Sequence, residues 1–134
     1  MDFSSLVLVE KDKETGYITK ELGSFRVSEG AIFVKKLFAI ENEVNLYFDT
    51  NKDVEEWEYS GIYDLFNSEV FRENGFIIEE DLEEYNPTFI LKFKYKEEHL
   101  EMRDLINKAV DLIKDEIEIV YKAIEGKEEE YKEN

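Results

Sequence analysis

Residues 76–96 read FIIEEDLEEYNPTFILKFKYK, and this stretch decides the fold class. Two apolar runs flank Asn86 and Pro87, the only proline of the chain. If Asn86-Pro87 forms a two-residue loop, Leu82 stands opposite Leu91 and Ile78 opposite Tyr95 on one face of an antiparallel pair. The other face then matches Asp81 with Lys92 and Glu79 with Lys94. Apolar pairs on one side and opposite charges on the other obey one register, the pattern of a hairpin with one covered face. Proline is not the favoured second residue of a tight hairpin, so the strands are better specified than the turn.

Directly after this hairpin, Glu97 to about Ile124 has the spacing of one long helix, about 42 Å at 1.5 Å per residue. Wound at 100° per residue, its apolar positions from Met102 and Leu105 through Ile113, Ile119 and Ile124 span an arc of about 180°, wider than a usual core-facing stripe. Glu116 falls inside that arc. One modest sheet has difficulty covering so broad an arc, which leads to the expectation of a homodimer through the C-terminal helix.

Upstream, Ser5 to Glu10 (SLVLVE) and Tyr17 to Val27 read as strands joined by a turn at KDKETG, with a bulge at Gly23. Ser28 is a good helix cap, and Ile32, Phe33, Leu37 and Ile40 fit one helical face, so 29–40 is expected to be helical. Val44, Leu46 and Phe48 alternate as a further strand. Asp53 with Glu56 reads as a capping box for a helix through Phe66, with Trp57, Gly61, Ile62 and Leu65 inward. A short turn over 68–73 ends at Asn74-Gly75, a left-handed cap. The expectation is therefore a single α+β domain over 1–124. It has a mostly antiparallel sheet of about five strands, two shorter helices and a long C-terminal amphipathic helix packed on it. Residues 125–134 read as an acidic, frayed tail.

The chain has 134 residues, 34 acidic against 17 basic, for a formal net charge of −17. Ten Phe, eight Tyr and a 43% hydrophobic content argue against disorder at this charge. So negative a surface repels phosphates, which weighs against direct nucleic-acid binding and against an anionic membrane. No apolar stretch reaches the roughly 18 residues of a membrane span, and Asp2 stands where a secretory signal needs positive charge, so the expected location is cytoplasmic. Without cysteine there is no thiolate zinc site or cysteine nucleophile. The weight of Phe, Tyr, Ile, Asn and Lys over Ala, Gly, Pro and Arg suggests a low-GC bacterium or its phage. In size and acidity the chain looks like toxin-neutralising immunity proteins, secretion chaperones and phage-encoded DNA mimics, a likeness of composition that carries no residues across.

Motifs for chemistry are few. Asp49, Asn51 and Asp53 have the first spacings of a calcium loop, but Val54 and Ser60 stand where it needs glycine and a bidentate glutamate. His99, the one imidazole, sits among Glu97, Glu98 and Glu101 as a surface residue. No catalytic or phosphate-cradling motif is present, and neither a metal nor a cofactor is expected. Charge distribution alone has a direction: residues 51–85 hold 12 acids and 2 bases, −10 of the total −17. Within that stretch Glu55, Glu58 and Asp64 interleave with Trp57 and Tyr59. These five are the candidate partner-binding residues: carboxylates to steer a basic protein and an aromatic to anchor it. The leading expectation is a non-enzymatic protein-binding module, immunity-, chaperone- or inhibitor-like. The alternatives are a small-ligand or ion-binding domain with a pocket between sheet and helices and, third, a carboxylate-based enzyme.

Overall fold

The computed structural model describes residues 4–132. Strands β1 (Ser4–Lys11), β2 (Ile18–Val27), β3 (Val34–Ile40), β4 (Glu43–Asp49), β5 (Ile77–Asp81) and β6 (Thr88–Lys94) form one sheet in the order β2-β1-β3-β4-β6-β5. Every neighbouring pair is antiparallel except β1 with β3. Helices α1 (Glu56–Leu65), α2 (Glu69–Glu73), α3 (His99–Ile124) and α4 (Glu128–Tyr131) complete an α+β fold, with a 3-10 turn at Glu29–Phe33.

The covered face of the sheet is built by alternation. Leu8, Phe25, Leu37, Ala39, Val44, Leu46, Phe48, Phe89, Leu91 and Phe93 all point to one side and are buried. Against them lies α3, unbroken over 26 residues, with Met102, Ile106, Ala109, Val110, Ile113, Ile117, Val120 and Ile124 buried along one stripe. Each such Ile or Met, fully buried, contributes about 1.5–3 kcal/mol. Glu98 caps this helix by accepting from the Glu101 amide at 2.7 Å. The broad arc is thus covered within the chain, by the sheet, the 3-10 turn and α1, and the exposed remainder is Ile119 at 57%.

Three local readings are corrected. Residues 29–40 are not a helix: the 3-10 turn ends at Phe33 and β3 follows. Two-residue periodicity prevails because Leu37 and Ala39 are covered by α3 while Lys36, Phe38 and Ile40 face the other way. Glu41 and Asn42, at φ of 49° and 69°, make a two-residue turn with both dihedrals positive, the geometry that folds β3 directly back on β4. The strand also gives the parallel pair a crossover. The 3-10 turn carries the chain from β2 to β3 beneath α3, where Gly30 lies so close that a Cβ would meet the Val110 carbonyl at 2.5 Å.

The hairpin exists, but its register differs by four positions. Ile78 faces Leu91, Glu79 faces Ile90, and the ladder ends at Asp81 opposite Thr88. Residues 82–87 form the connecting loop, and Leu82 is 63% exposed rather than paired with Leu91. An even shift keeps every side chain on its expected face, so the alternation survived while the pairing did not. Glu79, expected opposite Lys94, instead meets Lys92 diagonally at 3.3 Å.

The cap of α1 is also displaced. Glu55, not Asp53, is the capping residue, and its amide donates to Glu58 Oε1 at 2.8 Å. Asp53 instead accepts from Asn86 Nδ2 at 3.3 Å. The stretch expected to fray carries α4, and its last two residues lie outside the described ones.

Glu116 sits within the α3 stripe at 7% exposure. Burial pushes its carboxyl above the ordinary value, and Asp115 adds to the shift. Folding therefore penalises the charged form of this carboxyl. Stability at this position is complete below the ordinary carboxylate range and is lost as pH rises through the raised folded value. Glu116→Gln, of similar size and always neutral, is expected to gain about 1 kcal/mol at pH 7 and almost nothing below about pH 4. Urea unfolding at the two pH values checks this, and an equal effect at both would refute it.

Candidate functional site

Helix α1 begins with its own carboxylates. Glu58 closes the cap onto the Glu55 amide, and Glu55 Oε2 accepts from the Trp57 indole Nε1 at 3.1 Å. Negative charge in a first turn opposes the positive end of the helix dipole, so this arrangement favours the helix as well as fixing the indole. Trp57 is half-buried, while Glu55 and Glu56 are exposed.

Behind Trp57 the chain end approaches. Gly61 is buried, and a Cβ there would meet Ile124 Cδ1 at 2.6 Å and Tyr131 Cδ2 at 3.1 Å. Its missing side chain lets α4 lie against α1. Tyr131 Oη donates to Asp64 Oδ2 at 2.7 Å, and that carboxylate holds the phenol up at about 12. A recess of about 470 Å³ results, lined by Glu55, Glu56, Trp57, Ser60, Tyr131 and Lys132. It brings two aromatic residues, Trp57 and Tyr131, together with the acids Glu55 and Glu56. Lys132, the one base there, is paired with Glu128.

Of the five residues proposed from sequence, Glu55 and Trp57 meet at this recess, and Asp64 holds Tyr131 beside it. Glu58 is committed to the cap. Tyr59 serves elsewhere: it is half-buried, its ring stands edge-on to Tyr63 at 5.0 Å, and its hydroxyl donates to the carbonyls of Leu82 at 3.2 Å and Glu84 at 3.4 Å. Tyr63 accepts from the Thr88 amide at 2.8 Å and reaches the Asp81 and Thr88 carbonyls, each at 3.1 Å. Burial pushes the Tyr63 phenol far up, so it remains a proton donor. The two tyrosines hold loop 82–87 from behind, leaving Tyr85 75% exposed.

Tyr131 and Lys132 were not singled out from sequence. A signal for the first was present, because a glycine on the inner face of a helix marks where another element comes close.

The calcium-like spacing has a different occupant. Lys35 Nζ donates to Asn51 Oδ1 at 2.7 Å and lies 3.6 Å from Asp49 Oδ1, while Asp53 is turned toward Asn86. Among the described residues no group of three or more His, Cys, Asp or Glu is placed to hold a metal. His99 stacks on Phe25 at 4.7 Å, an exposed ring on a core one. The space between sheet and α3 is filled by side chains with no exposure, among them Leu8, Leu46, Leu91, Met102 and Ile113.

A family model matches residues 1–132. The chain belongs to DUF6762, a family of unknown function. No curated protein and no solved structure matches this DUF6762 chain. No helix among its described residues is long and apolar enough to cross a membrane.

The tyrosine supports generate a direct test. Tyr63→Phe removes a half-buried hydroxyl that joins three backbone groups, and is expected to cost about 1–2 kcal/mol in urea unfolding. Hydrogen exchange at the Thr88 amide should accelerate selectively. A Thr88 amide exchanging at its wild-type rate would show that the loop does not depend on Tyr63.

Proposed function

We propose that this chain is a non-enzymatic protein-binding module that engages a basic partner through the α1 face, in the manner of an immunity protein, chaperone or inhibitor. The observation that carries the reading is the recess beside α1, which Trp57 and Tyr131 line together with Glu55 and Glu56. An aromatic face beside negative charge fits a lysine or arginine side chain, which gains about 0.5–2 kcal/mol from the ring and more from a carboxylate. The −10 balance of residues 51–85 supplies long-range attraction, so encounter is steered before the cationic side chain enters. Exposed Leu82 and Tyr85, flanked by Glu83 and Glu84 on the braced loop, offer apolar contact area in the same acidic segment. The partner is a protein, rather than nucleic acid or an anionic membrane, because phosphates meet repulsion from a −17 surface. We read the setting as the bacterial cytoplasm.

Affinity capture at low salt supplies the partner, and two variants then test the site. Glu56 is the carboxylate to change, since Glu55 and Glu58 are used in the cap. Glu56→Lys is expected to slow association about tenfold at low salt and far less at 1 M, where the screening length falls to about 3 Å. Trp57→Ala should leave association nearly intact and speed dissociation about thirtyfold. If both variants bind with wild-type rates, the α1 face is only a solvated surface.

A further inference from the structure

All helices lie on one side of the sheet, and no described element covers the other. A sheet with a solvated face places polar side chains on it. This one does not. Val7 and Val9 of β1, Phe38 and Ile40 of β3, Tyr47 of β4 and Ile90 of β6 all point outward, half-buried or exposed. The apolar character reaches both edges, where Ile18 on β2 and Ile77 on β5 are exposed.

The centre of this face is organised. Phe38 and Tyr47 stand with ring centroids 5.9 Å apart. Lys11 Nζ lies 4.2 Å from the Phe38 centroid, and Lys36 Nζ lies 4.9 Å from that of Tyr47. On the four inner strands Lys11, Lys36, Lys92 and Lys94 face outward with Glu43 and Asp49. On the edge strands Arg26 is set against Glu21, Glu79 and Asp81. With Lys35 set on Asp49, six bases meet five acids, so the face is close to neutral on a molecule carrying −17.

We propose that this face is the contact between two copies of the chain, packed sheet to sheet about a two-fold axis. Charge selects the occupant. Two copies repel each other through the rest of their surface, whereas a nearly neutral face with both signs interspersed permits approach and lets a two-fold axis set bases against acids. Size agrees. Five strand spacings of about 4.8 Å and seven residues of about 3.3 Å give a plan of about 24 by 23 Å. With side-chain relief this approaches the roughly 800 Å² per partner of a standard interface. Phe38 and Tyr47 at the centre are the anchors, and the lysine stems on their rings surround them. This assignment moves self-association from α3 to the open face, and it stands independently of the basic partner.

Sedimentation equilibrium of the full chain at about 100 µM should give twice the 16.0 kDa chain mass, since interfaces of this size bind at micromolar concentration or tighter. Phe38→Thr with Tyr47→Thr, which keeps strand propensity, is expected to weaken association about a hundredfold. Ile119→Lys on α3 should leave it unchanged. On the unaltered chain, acetylation of Lys11 and Lys36 should slow between low and high protein concentration, a readout that needs no variant to fold. A monomer at the high concentration overturns the proposal, as does a dimer abolished by Ile119→Lys yet indifferent to the threonine pair. Protection of both lysines only on adding polyglutamate would assign the face to an anionic partner and equally overturn it.

Discussion

The stripe on α3 buried against one face of the sheet is the contact on which the rest of the molecule depends. It spans Met102 to Ile124 and meets strands from β2 to β6, so elements far apart in sequence share one core. The constraint explains the unusual residues. Gly30 is required where the 3-10 turn squeezes against Val110. Ser28 and Asn107 bond across the same seam at 3.0 Å, and the Ser28 hydroxyl donates to Asp111 at 2.6 Å, which ties the crossover to the helix. Glu116 is carried into the stripe at an energetic cost.

At the other end of the sheet a second set of contacts builds on this core. Phe48, Phe66, Phe71 and Phe89 pack with ring centroids 4.2–6.0 Å apart, and Tyr63 joins Phe89 at 5.2 Å. This cluster seats α1 and α2 against the sheet. Once α1 is seated, its hydroxyls hold loop 82–87 and its Gly61 receives α4. The recess at Trp57 is therefore a product of packing on three sides rather than of any local motif.

What was legible in the sequence is what alternation and helical winding encode. The faces of β4, β5 and β6, the length of α3 and the position of Glu116 all follow from periodicity. Gly75, at φ 91°, takes the left-handed conformation expected after Asn74. The failures have particular causes. Phe33, Leu37 and Ile40 fit a helical face as well as Leu37 and Ala39 fit a strand face, and only the burial of the latter pair beneath α3 decides between them. The register of β5 on β6 is ambiguous because two pairings four residues apart share the same faces. Tyr59 and Tyr63, 18 to 25 residues along the chain, bond the backbone of Asp81, Leu82, Glu84 and Thr88 where the ladder ends. Half of the recess was legible as Glu55 and Trp57. The other half, Tyr131 and Lys132, belongs to a segment whose composition resembles a solvated tail.

The ammonium of Lys35 beside Asp49 and Asn51 has a consequence of its own. A free cation held by such oxygens pays translational entropy at every encounter, and its occupancy follows its activity in the medium. A cation carried on the chain pays chiefly for ordering one side chain, once, at folding. The bend between β4 and α1 thus has its counter-charge built in at fixed stoichiometry, and the mass-action link that ties a metal-bound loop to the ionic composition around it has no counterpart in that lysine contact.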